Sequence, residues 1–586
     1  MPALVTDLLD MMRQHQSDRA AWEQTWLETA RYALPDAERF DRLFMTSRAF
    51  AAIDSVVSEP TAARRSKEIY DQTSLWAVER GTNGTLSLIT PQTGTWHDCG
   101  TTDPFAAEPT DEEDLFYETL RDYLFATRAN PRSGFWQAHK AATRCMWAFG
   151  TGVMYVEESK RGASSPISYR YCPLSENHLG CDFEDNVNSN LRVFTRSAKQ
   201  CVEKWGASMS PEVQKMAGSP IEKDKPVVIL HAVYPRDERG SSRAVDGYGR
   251  SNRTSPWASC YVEVDRKRLI GEGGYWEFPF VVYHWQRNNP GPYAEGPMSL
   301  ALADVKSLNM LAKQELRAVQ MWVDPPYATV SGTQRLDLNP RAPNAGLLDE
   351  QGNMRIKPIV TQQRPDFAQT ILEARRTQIR TTLYIDLWQS IINSTREQTA
   401  YEVMIKNQEK GDLLGPVGLS MQAGLSYMVD REIGILVRKG AFDSGSPLEA
   451  PESVRGHPIG VAKFTSPLDR LRRLPQLQGM TQLATTVTQV GQIKPEVLDK
   501  IDWDALIDEM QDILNAPQKI MTPESVLQEA RTKRANMQNT QMGIEAARGG
   551  GEAATAAAGG VQALAESPAA SDVLRRLAGV AGLPAG

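Results

Sequence analysis

The sequence predicts an α+β fold that is mainly helical. Many long segments of the 586-residue chain have apolar side chains that recur at helical spacing. One block, residues 150–290, instead carries short β-branched and aromatic runs. A third observation is the segment 399–440, which has the pattern of a single very long helix. Helices longer than about 25 residues are typical of coiled coils, membrane spans or large architectural parts.

The N-terminal part is predicted to be helical. Helical periodicity covers residues 4–32, 53–89 and 135–149. Thr110 and Glu113 have the spacing of a capping box, which predicts a further helix start at this point.

Residues 150–290 are predicted to form an antiparallel β-rich unit, because clusters of Gly, Pro, Asn and Ser separate their short apolar runs. A short helix, residues 197–205, interrupts these runs. The predicted strands are 153–157, 167–171, 227–230 and 258–264.

The helix predicted over residues 297–322 has one apolar face between two flanks of opposite charge. At about 100° per residue, Lys306, Lys313 and Arg317 share one flank, and Asp304 and Glu315 share the other. Such a helix suits a position beside copies of itself in a ring, although periodicity alone favours an ordinary surface helix with solvated charges. The apolar face consists of Val305, Leu308, Ala312, Leu316 and Val319.

A second helix with an apolar face is predicted over residues 367–388. Arg376 and Arg380 lie beside this face, with Glu373 within reach of both. Short strand candidates rich in Pro, Gly and Asn precede the helix, and a loop over residues 390–397 follows it. The apolar face consists of Leu372, Ile379, Leu383 and Leu387.

The long helix over residues 399–440 has recognisable signals at its start, middle and end. Thr395 and Gln398 have capping-box spacing, and Gly440 is suited to end the helix. Pro416 removes a backbone donor, which predicts a kink. Charged residues along the helix exclude a membrane span.

The C-terminal part is predicted to contain two further helices, over residues 469–491 and 496–514. From residue 549 the chain is rich in Gly, Ala and Ser, a composition typical of flexible segments.

Composition limits the possible partners. The net charge of −7 argues against a protein that binds nucleic acid tightly over its whole surface, but it allows a local basic strip. No run approaches the about 18 apolar residues of a membrane span, and the first residues lack a signal-peptide pattern. We therefore expect synthesis in a cytoplasm, no membrane partner, and six reduced cysteines.

The motif search favours a non-enzymatic protein without a cofactor. The phosphate-binding pattern of nucleotide-driven motors does not occur in the sequence. The strongest metal candidate is Cys172, His178 and Cys181, with Cys201 as a possible fourth ligand. Because its spacing matches no standard zinc pattern, separate thiols of the β-rich unit are the preferred interpretation.

Seven blocks of the chain, taken in order, resemble the portal or head-to-tail connector proteins of short-tailed bacteriophages. Any one block is a weak signal, but the ordered set is specific and covers about residues 1–530. The blocks are 66–71 with 77–90, 149–157, 173–176 through 202–205, 296–297 through 324–326, 399–440, 466–468 and 496–503.

This resemblance implies a portal fold and a dodecameric ring at one capsid vertex, the channel for packaging and ejecting double-stranded DNA. It implies a virion protein, made in the host bacterial cytoplasm, that binds the terminase packaging motor, tail adaptor or nozzle proteins, the major capsid protein, and scaffolding or internal core proteins. The implied regions are the wing (1–296), first stem helix (297–324), clip (325–365), second stem helix (366–388), tunnel loop (389–398), wing-crossing kinked helix and return (399–462), crown (463–548) and tail (549–586).

The contacts with DNA or with neighbouring subunits are predicted to come from basic residues near the stem. Neutralising about ten phosphates would produce tight, salt-dependent binding that opposes sliding, so sparse contacts are expected. Asp304 and Glu315 are candidate acidic partners in a neighbouring subunit. The basic candidates are Lys306, Lys313, Arg317, Arg376, Arg380 and Arg396.

Two other functions stay open on sequence alone. One is a virion adaptor or scaffold without a DNA channel. The other is a virion-associated hydrolase, which would need clustered carboxylates or a Cys/His site.

Overall fold

The computed structural model describes the chain with several gaps. Residues through Ile513 form one compact unit. The second unit, Leu514–Gly586, contains a helical segment over residues 526–534. The described residues are 2–34, 69–103, 105, 109–159, 165–236, 255–288, 290–323, 327–329, 351, 356–358, 365–385, 400–446, 448–455, 457–514, 522, 526–534 and 536–537.

The helices lie close to the positions that periodicity predicts. The predicted helix 135–149 is present with the same ends, and the helix predicted over 297–322 extends one residue further. The helices are α1 (Pro2–Ala33), α2 (Thr73–Ile89), α3 (Asp111–Ala129), α4 (Phe135–Phe149), α5 (Ala198–Trp205), α6 (Pro211–Gly218), α7 (Pro297–Val323), α8 (Pro365–Thr382), α9 (Ala400–Arg438), α10 (Pro467–Gly491) and α11 (Trp503–Leu514).

The β-rich block is antiparallel, as predicted, and its strands form two sheets. One has the strand order β3-β2-β9 and the other the order β4-β5-β6-β7-β8. The pairs β1-β12 and β10-β11 form separate two-stranded sheets. The strands are β1 (His97–Thr101), β2 (Thr151–Glu158), β3 (Ile167–Cys172), β4 (Asn177–Cys181), β5 (Val187–Ser197), β6 (Pro226–Pro235), β7 (Trp257–Glu263), β8 (Arg268–Tyr275), β9 (Phe280–His284), β10 (Tyr327–Thr329), β11 (Ile356–Pro358) and β12 (Ile459–Phe464).

Side-chain and glycine caps set the ends of several elements. Thr110 Oγ1 accepts a hydrogen bond from the Glu113 backbone at 3.4 Å, and Glu113 Oε2 accepts one from the Thr110 backbone at 2.9 Å. The predicted capping box is therefore confirmed. At the end of α9, Gly440 has a φ of +69°, and the amide of Ala441 donates to the carbonyl of Leu436 at 3.1 Å. This Schellman geometry confirms the predicted helix stop.

Helix α9 continues through Pro416 and packs its second half into the core. Met421, Leu425 and Met428 are fully buried. Gly424 permits this packing, because a Cβ atom there would lie 2.7 Å from the carbonyl oxygen of Val282 in β9. The predicted capping box at Thr395 lies outside the described residues.

A buried ion pair joins α3 to α9 across the core. The guanidinium of Arg128 donates to both carboxylate oxygens of Glu432, at 3.1 and 2.5 Å. The hydroxyl of Tyr169 also donates to Glu432, and Arg128 Nη1 lies 2.7 Å from His97 Nε2. Burial and the adjacent guanidinium hold the pKa of His97 well below its ordinary value, so its ring is neutral and can accept this hydrogen bond.

The helical segment predicted over residues 53–89 is wrong at residues 69–72, which are not helical; the helix begins at Thr73, whose amide donates to Asp71 Oδ1 at 2.8 Å. Residues 53–68 of that segment lie outside the described ranges.

Two further helix boundaries differ from the predictions. Helix α8 ends at Thr382 and Tyr384 adopts a φ of +54°, so the unbroken helix predicted to residue 388 is wrong at this point. Two consecutive β-branched threonines precede the break, and such residues are weak helix formers. Leu387 lies outside the described residues.

The second difference lies in the C-terminal part, where one helix was predicted over residues 496–514. The chain instead forms a 3₁₀ helix, Pro495–Lys500, followed by α11. Asp502 Oδ1 accepts hydrogen bonds from the amides of Asp504 and Ala505, at 3.1 and 3.2 Å. These bonds cap a new helix start, which divides the predicted helix in two.

Buried histidines should make the stability of the subunit depend on pH. His139 accepts or donates hydrogen bonds at Thr90 Oγ1 (2.8 Å) and Tyr283 Oη (2.9 Å), and burial lowers its pKa from 6.5 to about 3. The unfolded chain binds a proton here below pH 6.5, whereas the folded chain does so only near pH 3. The contribution of the neutral His139 to the free energy of unfolding is therefore fully present above pH 6.5. It is lost as the pH falls from 6.5 toward 3.

Over this pH range, we expect the free energy of unfolding of the variant His139→Gln to fall less steeply with pH than that of the unmodified chain. The two slopes should differ by about 1.4 kcal/mol per pH unit. Urea titrations of the unassembled subunit at several pH values measure this slope. An unchanged slope in the variant would contradict the assignment of a neutral buried imidazole.

Candidate functional site

The two predicted stem helices, α7 and α8, pack against each other through part of their apolar faces. Val305 and Leu308 of α7 are buried, as are Leu372 and Ile379 of α8. The predicted apolar face of α7 divides into two halves. Farther along the helix, Leu316 is 49% exposed and Val319 is 44% exposed, so the part of the chain that the structure describes covers this half only partly.

Two charges near the start of α7 form ion pairs within the subunit. Asp304 Oδ1 accepts a hydrogen bond from Arg375 Nη1 of α8 at 2.9 Å. Lys306 donates to the carboxylate of Glu28 in α1. Both pairs are partly exposed, so each contributes less than about 1 kcal/mol and mainly orients the side chains.

Arg376 of α8 binds the segment that leads into α2. Its Nε donates to Asp71 Oδ2 at 2.9 Å, and Asp71 Oδ1 accepts the amide of Thr73 at 2.8 Å. Burial tends to raise the pKa of Asp71, but the hydrogen bonds from Thr73 and Arg376 outweigh it and lower that pKa. Asn309 of α7 fixes the same segment, because its Oδ1 accepts the amide of Tyr70 at 2.7 Å.

The remaining candidates differ in their surroundings. Lys313 Nζ lies 5.3 Å from the ring centroid of Tyr70, a cation–π distance. Arg317 is exposed, while Arg380 and Glu315 are half-buried. No ion pair of these last three residues is present among the described side chains, and Arg396 lies outside the described ranges.

The structure thus separates the predicted site residues into two groups. Asp304, Lys306 and Arg376 have charged partners in their own subunit. Arg317, Arg380 and Glu315 keep charges that the described part of the subunit does not neutralise. The partners Glu28, Asp71 and Arg375 could not be predicted from the sequence, because no local spacing links them to residues so distant in the chain.

The cysteine and histidine residues considered as a metal site have other surroundings. His178 Nδ1 donates to the carbonyl of Leu191 at 3.0 Å, and Cys181 Sγ lies 3.8 Å from Arg287 Nη2. Burial raises the pKa of Cys172 to about 11, which disfavours the thiolate that binds metals. Among the described residues, no three His, Cys, Asp or Glu side chains are grouped to hold a metal ion.

Within the described ranges, no helix has the length and apolar character needed to cross a bilayer.

A long helix built into the core, a pair of charged helices and two antiparallel sheets define an architectural α+β protein. The chain belongs to the family of bacteriophage head-to-tail connecting proteins, whose model matches residues 5–521. Its function is that of a portal, the ring at one vertex of the phage head.

Two relatives are matched over nearly their whole length. The chain is 25% identical to the portal protein of Salmonella phage epsilon15 over 92% of this chain and 94% of that protein. It is 24% identical to a "Probable portal protein" of Bordetella phage BPP-1 over 98% of both chains. Both relatives thus carry the name of portal proteins, one of them as a probable portal protein.

Solved structures from gene transfer agent particles resemble the chain only loosely. The neck of an empty particle matches with a TM-score of 0.33 and 13% identity, over 62% of this chain and 79% of that one. A native virion matches with a TM-score of 0.31 and 12% identity, over 71% of this chain and 86% of that one. Similarity at this level is too weak to bear on the fold.

Proposed function

We propose that about twelve copies of this chain form a closed ring whose central channel conducts double-stranded DNA during packaging and ejection. The observation that carries the proposal is the family match over residues 5–521, together with the paired helices α7 and α8. In this arrangement the two helices are the stem, and the β-rich block with the N-terminal helices is the wing. Residues 325–365 are the clip, 389–398 the tunnel loop, and 463–548 the crown.

The proposed partners follow from a position at one capsid vertex. The packaging motor (terminase) binds the ring during DNA entry, and tail adaptor or nozzle proteins bind it afterwards. The major capsid protein and scaffolding or internal core proteins contact the parts inside the head. The chain is made in the cytoplasm of the host bacterium and functions without catalysing a reaction itself.

The charges of the stem support sparse contact with DNA. Lys306 and Arg376 form ion pairs with carboxylates of the same subunit. Arg317 and Arg380 therefore stand as the basic stem residues, among those described, that are best suited to contact phosphate. A channel with few free cations per subunit binds DNA weakly enough to let it slide.

Glu315 is the corresponding candidate for contact between subunits. A head-to-tail ring brings different surfaces of neighbouring subunits together, so an unpaired carboxylate on one flank of α7 can meet a cation of the next copy. Lys313 and Arg396 remain candidates for either role.

Charge reversal separates the two roles of the basic residues. We expect Arg317→Glu and Arg380→Glu to lower the amount of packaged or retained DNA several-fold while rings of normal mass still form, because repulsion of phosphate acts on DNA and not on folding. Packaging assays with purified rings measure the first effect, and mass measurement the second. The matched control is the variant Lys199→Glu, because Lys199 is an exposed residue of α5 outside the stem.

Unchanged DNA handling in both variants would contradict a channel role, and loss of the ring would assign the residue to subunit contact. Imaging tests the ring itself, because a channel for duplex DNA needs a central hole at least about 20 Å wide. A particle without a hole would favour an adaptor or scaffold instead. Metal-dependent cleavage of DNA by the purified chain would favour the hydrolase.

A further inference from the structure

Helix α10 is unusual because most of it carries no charge. Residues 474–493 contain no Asp, Glu, Lys or Arg, in a chain of which 23% is charged. Most side chains in this stretch are nevertheless exposed in the isolated subunit. Exposed helices of globular proteins normally place charged residues on their outer faces, so a long exposed stretch without charge is unusual and suits a contact surface.

One flank of α10 presents apolar side chains that the described part of the subunit does not cover. Leu483 is 51% exposed, Val490 is 42% exposed and Ile493, just past the helix end, is 89% exposed. With Gly479 and Thr486, these residues follow one another at alternating spacings of four and three. That spacing is the one by which helices pack side by side. We call this set the apolar flank.

A second flank of α10 presents threonines whose hydroxyl groups are already bonded. Thr481 donates to the carbonyl of Gln478 at 3.0 Å, Thr485 to that of Thr481 at 2.7 Å, and Thr488 to that of Ala484 at 2.7 Å. Because the hydroxyls donate within the helix, burial of these threonines leaves no hydroxyl donor unpaired. We call it the threonine flank.

The two flanks lie on different sides of the helix, about 150° apart at about 100° per residue. A third side faces the subunit itself, since a Cβ atom at Gly491 would lie 2.7 Å from Leu498 of the 3₁₀ helix. Only the side around Gln482 and Gln489 is then left for solvent. A helix with two separate neutral flanks is suited to neighbours on both sides.

We propose that the apolar flank of α10 in one subunit packs against the threonine flank of α10 in the next subunit around the ring. This inference rests on the proposed ring, and it names a contact surface of that ring. A head-to-tail contact needs two different surfaces on each copy, and α10 provides two at matching spacing. Copies of one helix placed side by side would also repel each other if they carried like charges, which accounts for the uncharged stretch.

Cross-linking tests the contact directly. In the double variant Leu483→Cys/Thr485→Cys the two thiols lie on opposite flanks, so a short bis-maleimide can join one copy to the next only if the two flanks of neighbouring copies are adjacent. We expect a ladder of covalent dimers, trimers and larger species on a denaturing gel. Each single variant is the control and should give no ladder, because the native cysteines are buried or half-buried.

A charge placed on the apolar flank tests whether contact through this flank is needed for ring assembly. Leu483→Asp should reduce the yield of rings at least tenfold while far-ultraviolet circular dichroism and tryptophan fluorescence of the subunit stay unchanged, since the position is half exposed before assembly. Gln482→Asp places the same charge on the solvent side and should assemble normally.

The outcomes separate this inference from the proposed function. Rings of the unmodified chain without a cross-linked ladder, or normal assembly of Leu483→Asp, would overturn the α10 contact and leave the portal ring standing. Failure of the unmodified chain to form rings at any concentration would overturn the proposed function and the contact together.

Discussion

Replacing Glu432 by alanine is expected to destabilise the subunit by about 3–5 kcal/mol, because it leaves the buried guanidinium of Arg128 without a counter-charge. Both side chains are almost completely buried. The arginine is also enclosed by aromatic rings, with its guanidinium carbon 4.8 Å from the ring centroid of Trp96 and 5.1 Å from that of Phe125. Water cannot easily replace the lost carboxylate in these surroundings.

The double variant Arg128→Met/Glu432→Leu is the matched control. It removes both charges, so it should lose less stability than Glu432→Ala alone. Some loss should remain, because the Tyr169 hydroxyl and His97 Nε2 each lose a partner. Urea unfolding of the unassembled subunit, followed by tryptophan fluorescence, measures all three proteins. A double variant less stable than the single one would contradict a dominant role for the uncompensated charge.

Local signals explain why the helices of this chain could be predicted well. A capping box at Thr110 and a glycine at position 440 act within a few residues of the ends that they set. Apolar periodicity likewise reports which side of a helix faces the core, as Val305 and Leu308 show. Such signals depend on neighbours in the sequence, so the sequence alone contains them.

Long-range pairing could not be predicted in the same way. Arg128 and Glu432 are 304 positions apart, and Lys306 and Glu28 are 278 positions apart. Which charges meet depends on how whole elements pack, and many carboxylates could have served each cation. The sequence therefore indicated the charged flanks of α7, but not that Asp304 and Lys306 have partners inside the subunit.

The break after α8 shows a further limit of local patterns. Apolar spacing continues through Leu383 toward residue 387, which favours a longer helix. Tertiary packing overrides this preference, since Leu383 and Ile385 are both fully buried while Tyr384 between them takes a left-handed backbone conformation. Such a conformation costs a tyrosine about 1–2 kcal/mol, which only the surrounding structure can offset.

Gly150 to alanine is the second substitution with a large expected effect, about 4 kcal/mol or more. Gly150 ends α4 with a φ of +85°, where alanine is strained by about 1–2 kcal/mol. A Cβ atom there would also lie 2.1 Å from the carbonyl oxygen of Ala294 and 2.6 Å from the amide nitrogen of Gly296. These are backbone atoms just before α7, so they can move away from the added Cβ atom only if the start of that helix moves.

A matched control separates the two causes of this loss. Gly94 has a φ of +100°, but no atom lies within 4 Å of a Cβ atom built on it. We therefore expect Gly94→Ala to cost only the conformational strain, about 1–2 kcal/mol, in the same urea titration. Because Met298 at the start of α7 is fully buried, Gly150→Ala should also displace the first turn of that helix and expose its amides to faster hydrogen exchange. Equal losses in the two variants would show that backbone strain alone, and not the close approach of α4 to α7, requires glycine at position 150.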